Sequence, residues 1–557
     1  KSVSDGAATA FKRVMKLSRG VRVVLILRDV QRTNCMTQIF QAGALNTTAL
    51  IVPDLYVGIV PPQTVLLNGV PTNVLGIVGS APWGPVNSVV IASSMGDFAV
   101  NFGAVMARKY DLGTAMAISV LQGANNFRLV RVTDGTDTKA TVSLSTNITF
   151  TAAYTGSLGN QLAVTISAGS MANTWRVVVS LPGFTPETFD NLASGLTGNA
   201  IWVAIASAIN NGVSALRPAS KLITAAALAG TAAPVAGTTL FSTGTLGTDG
   251  VTGLTDQSLV GVDGLGSVRT GMYVLRGQGC SIAFLQDVTT VSTFTTQVAF
   301  GLSEQIYMIG VTAAGDSVTT APAIKAAAGI DSYAFKYMFG DWLYWYDQVN
   351  LITRLVSPQG FIAGRLANMS PEQSSLNKQM YGIIGSQKNG LVGTAQDTNY
   401  SVAELQALAT AGIDVIANPQ PGGSYWGARI GHNSSSNAAI NGDNYTRLTN
   451  YLAVSVGAGM GQYVGQLVNQ GLFQQVRATL NSFLANMLQQ GLLGTLVVGQ
   501  RPYNVICDLT NNPASRTGLG YVQADVAVTY QAINEKFIIN IQGGQTVVAL
   551  ASAAPVS

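Results

Sequence analysis

The sequence predicts a multidomain α/β protein (α+β mixed), with a core built from separated N- and C-terminal parts, a β-rich inserted domain and extended terminal arms. Three observations carry that expectation. Short apolar runs alternate with helical stretches over 73–133 and again over 251–365. Between them, 134–250 turns to brief Thr/Val alternation punctuated by Gly and Asn. Residues 366–535 hold capped helical segments, and the chain before and after these regions is extended in character. At roughly 150 residues per domain, 557 residues correspond to three or four domains.

From the N-terminus, residues 1–35 differ from the rest. They hold eight basic and two acidic residues, a net +6; the whole chain is +4, so the remainder is −2. A polar, Ala/Gly/Thr-rich texture begins at Met36-Thr37-Gln38-Ile39-Phe40, so Met36 is expected to be the native start and 1–35 a basic extension that is not native. The competing reading is a basic arm for nucleic acid; the remaining chain carries no basic footprint of that kind. A secretory leader does not fit, because Arg22 interrupts Val21–Leu27 and no small-residue cleavage pattern follows. Residues 36–72 form an arm and linker, in which Leu55, Val57 and Ile59 alternate between Pro53 and the Pro61-Pro62 pair.

In the first part of the α/β domain, 73–133, Val74–Val78 and Phe127–Val132 are predicted strands and Thr114–Gln122 a helix. In the inserted domain, 134–250, Thr149–Thr155, Gln161–Ala168 and Arg176–Leu181 alternate as strands. The second part, 251–365, contains the row Tyr333, Phe335, Tyr337 and Phe339, leading into Trp342 and Tyr344–Tyr346. Without basic partners this stripe predicts a packed core strand and not a base-stacking platform.

In the C-terminal domain, 366–535, Ser370-Pro371-Glu372-Gln373 predicts a helix start. Ser401 and Glu404 make a second capping box, with Gly412 ending that helix. A third helix over Gly471–Gln490 sets Phe473, Val476, Leu480, Phe483, Leu484 and Met487 on one apolar face. Val522, Ala524, Val526, Val528 and Tyr530 predict a half-buried strand, and Phe537–Ile541, within the terminal segment 536–557, another. Sticky strands at both ends of one chain are an aggregation hazard unless each has a designated acceptor.

The composition is 47% hydrophobic and only 10% charged, against a norm of about 25% charged. Such a surface suits a subunit covered by copies of itself. Mean hydropathy is positive, yet no run of about 18 apolar residues occurs, so no membrane insertion is expected. Cys35, Cys280 and Cys507 are far apart and in no metal-ligand or CxxC spacing, which favours assembly in a reducing cytoplasm.

No catalytic, cofactor-binding or metal-ligating residue is expected. The single histidine, His432, sits in a polar Gly/Asn/Ser loop with no GxSxG elbow in the chain. Asp134, Asp137, Asp249, Asp256 and Asp263 lie in Gly/Thr turns without calcium-loop spacing and read as turn formers. Gly457-Ala458-Gly459-Met460-Gly461 lacks both GxGxxG and GxxxxGK[ST] spacing and reads as a packing or turn segment. Carboxylate pairs for glycoside chemistry stay open at this stage, because their separation is spatial.

Several segments in order resemble the contractile tail sheath family of myovirus-type phages, R-type pyocins and related injection systems. Pro53-Asp54-Leu55-Tyr56-Val57, then Gly76-Ile77-Val78-Gly79-Ser80-Ala81-Pro82-Trp83-Gly84-Pro85, then Asp97-Phe98 with Phe102-Gly103, look like the family's N-terminal pattern. Tyr154 with Gly156-Ser157-Leu158-Gly159-Asn160 is similar to the start of its inserted domain, and Gly247-Thr248-Asp249-Gly250 to the end. Ser357-Pro358-Gln359-Gly360-Phe361-Ile362-Ala363-Gly364, Tyr425-Trp426-Gly427-Ala428-Arg429 and Cys507-Asp508 with Asn511-Asn512-Pro513 complete the order. The match spans 53–545. It departs at Gly58-Ile59, where acidic residues are usual, and in 161–246, which match only in character.

The resemblance implies a structural subunit, not an enzyme, that polymerises helically around a tail tube and contracts to drive the tube through the host envelope. It implies strand exchange between copies: a donor arm with Leu50, Leu55, Tyr56, Val57 and Ile59; acceptor strands with Val505, Cys507, Val522, Val526 and Val528; and a C-terminal donor with Phe537, Ile539 and Ile541. The implied partners are copies of the chain, a tail tube protein, and baseplate and tail-terminator proteins, with no direct nucleic acid and no cofactor. The implied location is the virion tail after assembly in the host cytoplasm. The alternatives are a pyocin or type VI-like sheath and, from another class, a secreted β-rich surface-binding protein.

Overall fold

The computed structural model describes residues 39–42, 56–59, 67–264, 268–391, 399–497 and 499–541. Residues 1–35, Leu50, Leu55 and the end of the chain from Gln542 lie outside them. The chain divides into two compact units, Lys1–Val65 and Leu66–Ser557. In the first, β1 (Ile39–Ala42) and β2 (Tyr56–Ile59) pair in parallel, Ile39 opposite Tyr56 and Ala42 opposite Ile59. Both described pieces of the arm are extended strands, as expected, and they pair with each other.

The second unit opens with β3 (Leu75–Gly79), β4 (Val89–Ala92), α1 (Met95–Phe102), α2 (Leu112–Leu121) and β5 (Phe127–Arg131). A seven-stranded insertion follows: β6 (Lys139–Leu144), β7 (Ile148–Thr155), β8 (Ala163–Ala168), β9 (Trp175–Ser180), β10 (Glu187–Leu192), α3 (Asn199–Asn211), β11 (Ile223–Ala227) and β12 (Gly237–Leu240). The first layer then resumes with α4 (Asp256–Val260), β13 (Ile282–Leu285), α5 (Phe294–Glu304), β14 (Tyr307–Val311), α6 (Thr320–Ala327) and β15 (Phe335–Met338).

Both parts contribute to one sheet in the order β15-β14-β13-β3-β5-β4, parallel except for β4. The seam lies between β3 and β13, where Leu75 faces Ile282 and Val78 faces Leu285. These strands are short and almost wholly apolar because helices cover both faces. Leu75, Ile77, Phe127, Leu129, Ile282 and Phe284 pack on one side with α2 and α7 (Gln359–Ala367). Val78, Val130, Ala283, Leu285 and Met308 pack on the other, with Phe294 and Phe300 of α5. The aromatic row packs as a core strand from Phe335 on: Phe335, Tyr337 and Phe339 are buried, Phe294 meets the first two at tilted and edge-on angles, and Tyr333, before the strand, is half-buried. Helices α2 and α7 cross closely because Gly364 has no side chain; a Cβ there would lie 2.6 Å from backbone atoms of Ser119.

The insertion is two antiparallel sheets, β10-β9-β8-β12 and β11-β7-β6, around Phe150, Val164, Val177 and Phe189. Helix α3 joins that core through Ile201, Trp202, Ile205 and Ile209, an apolar face within a region that otherwise reads as strands. The start and end motifs of the insertion bond to one another. Asn160 exchanges hydrogen bonds with Gly247, Asp249 accepts from Ser157 N at 2.6 Å, and Arg108 pairs with Asp249. Fully buried Arg131, at the end of β5, ties Gly84 O (2.7 Å) to Thr155 O (2.8 Å), and Trp83 meets Tyr154 edge-on.

Beyond β15 come β16 (Leu343–Asp347), β17 (Ile352–Val356), β18 (Ile383–Ser386) and β19 (Gly390–Leu391), in the order β17-β16-β18-β19, and the pair β20 (Ile416–Ala417) and β21 (Gly427–Ala428). Helix α8 (Val402–Thr410) has the expected Ser401/Glu404 capping box, with Gly412 in the left-handed region. Helices α9 (Asp443–Met460) and α10 (Gln470–Gln489) follow, and the six expected apolar positions of α10 are all buried.

The helix expected from Ser370 is absent; 370–373 is a single turn closed by Gln373 N on Ser370 O. Tertiary partners take the groups a helix would use. Arg447 binds the carbonyls of Met369 and Ser370, and both Ser375 N and Oγ go to Asp443. Local capping chemistry loses to these buried charged hydrogen bonds.

Candidate assembly site

The C-terminal strands are β22 (Tyr503–Ile506) and β23 (Asp525–Val528), an antiparallel pair with Tyr503 opposite Val528 and Val505 opposite Val526. Among the described residues this sheet has only two strands. Val505 and Cys507 are buried against Phe473, Val476 and Leu480 of α10, and burial pushes the Cys507 thiol up, away from reactivity. The Asn511-Asn512-Pro513 motif closes the pair. Buried Asn512 donates to Asp508 O (3.1 Å) and Gln523 O (2.9 Å) and accepts from Gln523 N, while Asn511 bridges Ile506 O and Asp525.

The predicted strand Val522–Tyr530 is shorter than expected and less buried. Ala524, Val528 and Tyr530 lean on the helical core, but Val522 and Val526 are exposed, as is Ile506. The pair thus keeps apolar side chains partly uncovered on both faces, Val526 on the side of Val505, and Ile506, opposite Asp525, on the other.

Past β23 the chain is tied down at intervals: Tyr530 to Thr449 (3.2 Å), Gln531 O to Asn444 (3.1 Å), and Glu535 to His432 Nε2 (2.7 Å). Among the described residues, no tie follows Glu535. Phe537, Ile538, Ile539 and Ile541 are between 67% and 89% exposed, and 536–541 is not a strand here, contrary to the expectation for Phe537–Ile541. Strand geometry needs a pairing partner, and among the described residues the chain supplies none. Of the predicted exchange residues, Val505, Val526 and Val528 meet in one sheet with Cys507 and Val522 just beyond its strands; Phe537, Ile539 and Ile541 stand free; Tyr56, Val57 and Ile59 form β2 of the first unit.

This architecture has solved counterparts. The chain superposes on the sheath tail protein Lin1278 from Listeria innocua with a TM-score of 0.56 and 14% identity, covering 80% of this chain and 90% of that one. The sheath tail protein DSY3957 from Desulfitobacterium hafniense gives 0.51 and 13%, covering 81% and 93%. The sheath of an extracellular contractile injection system, the PVC sheath complex in its contracted state, gives 0.51 and 10%, covering 90% and 99%. The fold is the contractile-sheath fold. No family model and no curated protein matches the sequence.

Within this sheath fold, a buried charge node that sequence reasoning missed joins the large sheet to α9. Lys336 on β15 is fully buried and reaches Asp414 (2.7 Å), Asp443 (2.9 Å) and His432 O (3.0 Å). Asp443, in the first turn of α9, also accepts from Tyr307 Oη (2.6 Å) and from Ser375. Burial opposes ionisation of both partners, but the two carboxylates hold the lysine above its ordinary value, and the lysine with its hydrogen-bonding neighbours holds Asp443 below the usual carboxylate range. The available sequence signal was a lysine inside an otherwise aromatic strand.

The sheet's topological switch point, where doubly wound folds bind ligands, is filled by the chain itself. Beyond the ends of β3 and β13, Ser80 binds Tyr110 O, Asp287 accepts from Tyr110 N (3.1 Å), and Gln359 links Asp287 N (3.1 Å) to Ile309 O (2.8 Å). Gln359 belongs to the Ser357–Gly364 motif, so that motif closes the crevice. Among the described residues no three His, Cys, Asp or Glu side chains converge to hold a metal.

Burial pushes the Asp287 carboxyl up to about 6, and Asp111 likewise. Since an unfolded carboxyl titrates near 4, the folded chain retains a proton between about pH 4 and 6 that the unfolded chain releases. Stability from this source is therefore greatest at low pH and falls as pH rises to about 6. Urea midpoints of wild type and Asp287→Asn between pH 4.5 and 7 check it: the wild type should lose about 2–3 kcal/mol relative to the variant across that range, and parallel profiles would refute the assignment.

Proposed function

We propose that this chain is the structural subunit of a contractile tail sheath, polymerising helically around a tail tube through strand exchange between copies and contracting to drive the tube through a host envelope. The observation that carries this reading is the pairing, within a sheath fold, of a two-stranded sheet with a free apolar segment at 536–541. A donor and an acceptor on one chain make a head-to-tail contact, which generates rings or helices and not closed dimers. Covering each of the exposed apolar side chains Phe537, Ile538, Ile539 and Ile541 is worth about 1.5–3 kcal/mol before ordering costs, and each ladder hydrogen bond adds about 0.5–1.5 kcal/mol.

In this reading the chain is not an enzyme, and the filled switch point agrees with that. Contraction draws on the lattice: subunits held in a metastable packing pass to one that buries more surface. The partners are the tube, baseplate and tail-terminator proteins, and the location is the tail of a virion assembled in the host cytoplasm. The donor residues are those of the arm and of 536–541, and the acceptor is the β22–β23 pair. A related contractile injection particle is the second reading, favoured by the likeness to the PVC sheath over 90% of the chain.

Electron microscopy of the purified full-length protein tests the proposal. Hollow cylinders of uniform diameter are expected. Monodisperse particles at every salt and protein concentration would end the sheath reading.

A further inference from the structure

The Gly457–Gly461 segment has no nucleotide-binding spacing, and the structure gives one of its glycines another use. Helix α9 carries Arg447, Tyr451, Ser455 and Gly459 at intervals of four, hence in one row along its surface. Leu67–Thr72, which forms no helix or strand, runs along that row in the opposite direction. Thr72 O accepts from Arg447 (3.5 Å) and from Ser281 Oγ (2.8 Å). Val70 N donates to buried Ser455 Oγ at 3.1 Å.

The approach is closest at two glycines. A Cβ on Gly69 would overlap the Tyr451 hydroxyl, and a Cβ on Gly459 would overlap Cδ1 of buried Leu67. Gly457 and Gly461, by contrast, have nothing within 4 Å of the place a Cβ would take. The other side of the strap is loosely filled. A cavity of about 330 Å³ lies there, lined by Val70–Thr72, Tyr451 and Asn450, and both amide atoms of buried Asn450 lack a partner. The helix row holds Leu67–Val70, and Thr72 is shared between the row and Ser281.

We propose that the row Arg447-Tyr451-Ser455-Gly459 is a seat that fixes the point from which the N-terminal arm leaves the core. The proposal rests on the strand-exchange reading, in which a donor strand reaches its acceptor only if its linker starts from a set place, since each residue spans at most about 3.3–3.6 Å. Ser455 and Gly459 are positioning residues in this scheme. Gly459 is kept small by the leucine that must lie over it, although alanine would serve the helix better.

The experiment uses the full chain and four proteins: wild type, Gly459→Ala, Ser455→Ala and Gly457→Ala. Hydrogen exchange is read over 67–74, cylinder yield by electron microscopy, and melting temperature as the control for folding. Exchange over the strap should quicken about fivefold or more in Gly459→Ala and Ser455→Ala. Cylinder yield should fall in both, most in Gly459→Ala, whose melting temperature should not fall. Gly457→Ala makes the same change of residue where nothing is overlapped, and should match wild type in exchange and cylinder yield, with a melting temperature no lower than wild type. Normal cylinders from Gly459→Ala would overturn the proposal alone, whether or not the strap loosens. Absence of cylinders from wild type would instead overturn the strand-exchange reading.

Discussion

A chain ending at Glu535 should fold normally and fail to polymerise. Within the segment it lacks, the described residues 536–541 contribute little to their own subunit: Phe537, Ile538, Ile539 and Ile541 are exposed, and among the described residues the contact between Glu535 and His432 is the last tie to the core. Monomer stability should therefore change by no more than about 0.5 kcal/mol, as for a surface change. The loss falls on assembly. A strand of about five residues contributes several ladder hydrogen bonds at about 0.5–1.5 kcal/mol each and buries large side chains at about 1.5–3 kcal/mol each. Placing a charge in the segment, as in Ile539→Asp, should reproduce most of the effect without shortening the chain. Full-length protein, truncated chain and point variant, compared by electron microscopy and urea denaturation, give the answer. Cylinders from the truncated chain would remove the C-terminal donor from the scheme.

The second large effect is expected at Lys336. Replacing it with methionine keeps the volume but leaves Asp414 and Asp443 facing each other without their cation. Breaking a fully buried ion pair from one side costs about 3–5 kcal/mol, which is a large share of a typical domain's stability. The pH dependence distinguishes this from a packing defect. In wild type, Asp443 sits below the usual carboxylate range, so its contribution is present above about pH 4 and is lost as pH falls through its lowered value. In Lys336→Met burial and the facing like charge raise the pKa of one of the two crowded carboxylates, which then takes up a proton as pH is lowered, so the variant should recover stability in that direction. A deficit that grows from pH 5 to pH 8 supports the node; a deficit independent of pH would mean that the lysine matters only for its bulk. Adding Asp414→Asn and Asp443→Asn to Lys336→Met should recover part of the loss.

Much of this architecture could be read from residue order. The apolar runs became β3 and β5, the Ser401 box caps α8, and the face from Phe473 to Met487 is buried, because each depends on a local period or cap that few tertiary contacts oppose. Where long-range partners act on the same groups, local reading fails. Ser370-Pro371-Glu372-Gln373 has the chemistry of a helix start, but Arg447 and Asp443 claim the backbone and side chains around it. Val522 and Val526 share the inward-facing period of Ala524 and Val528, and Val526 pairs with buried Val505, yet both remain 38% exposed because only tertiary neighbours can cover a face that alternation marks out.

For the assembly site the division is similar. That residues near Val505, Val526 and Phe537 favour strands follows from their β-branched and aromatic side chains alone. That the first two pair while the third stands free is a matter of tertiary placement. The Asn512 clasp holds β22 to β23, and the tail is led away over α9 to His432 before Phe537 is reached. The roles of Lys336 and Gly459 lay beyond sequence reasoning for the same reason. A lysine in an aromatic strand and a glycine in a helix are both locally unfavourable, and the partners that explain them lie 78 and 107 residues away for Lys336 and nearly 400 for Gly459. The sequence by itself determined the periodic elements and the apolar character of the two ends; only the tertiary structure decided which groups meet across the chain, because burial and hydrogen-bond pairing act through space and not along the sequence.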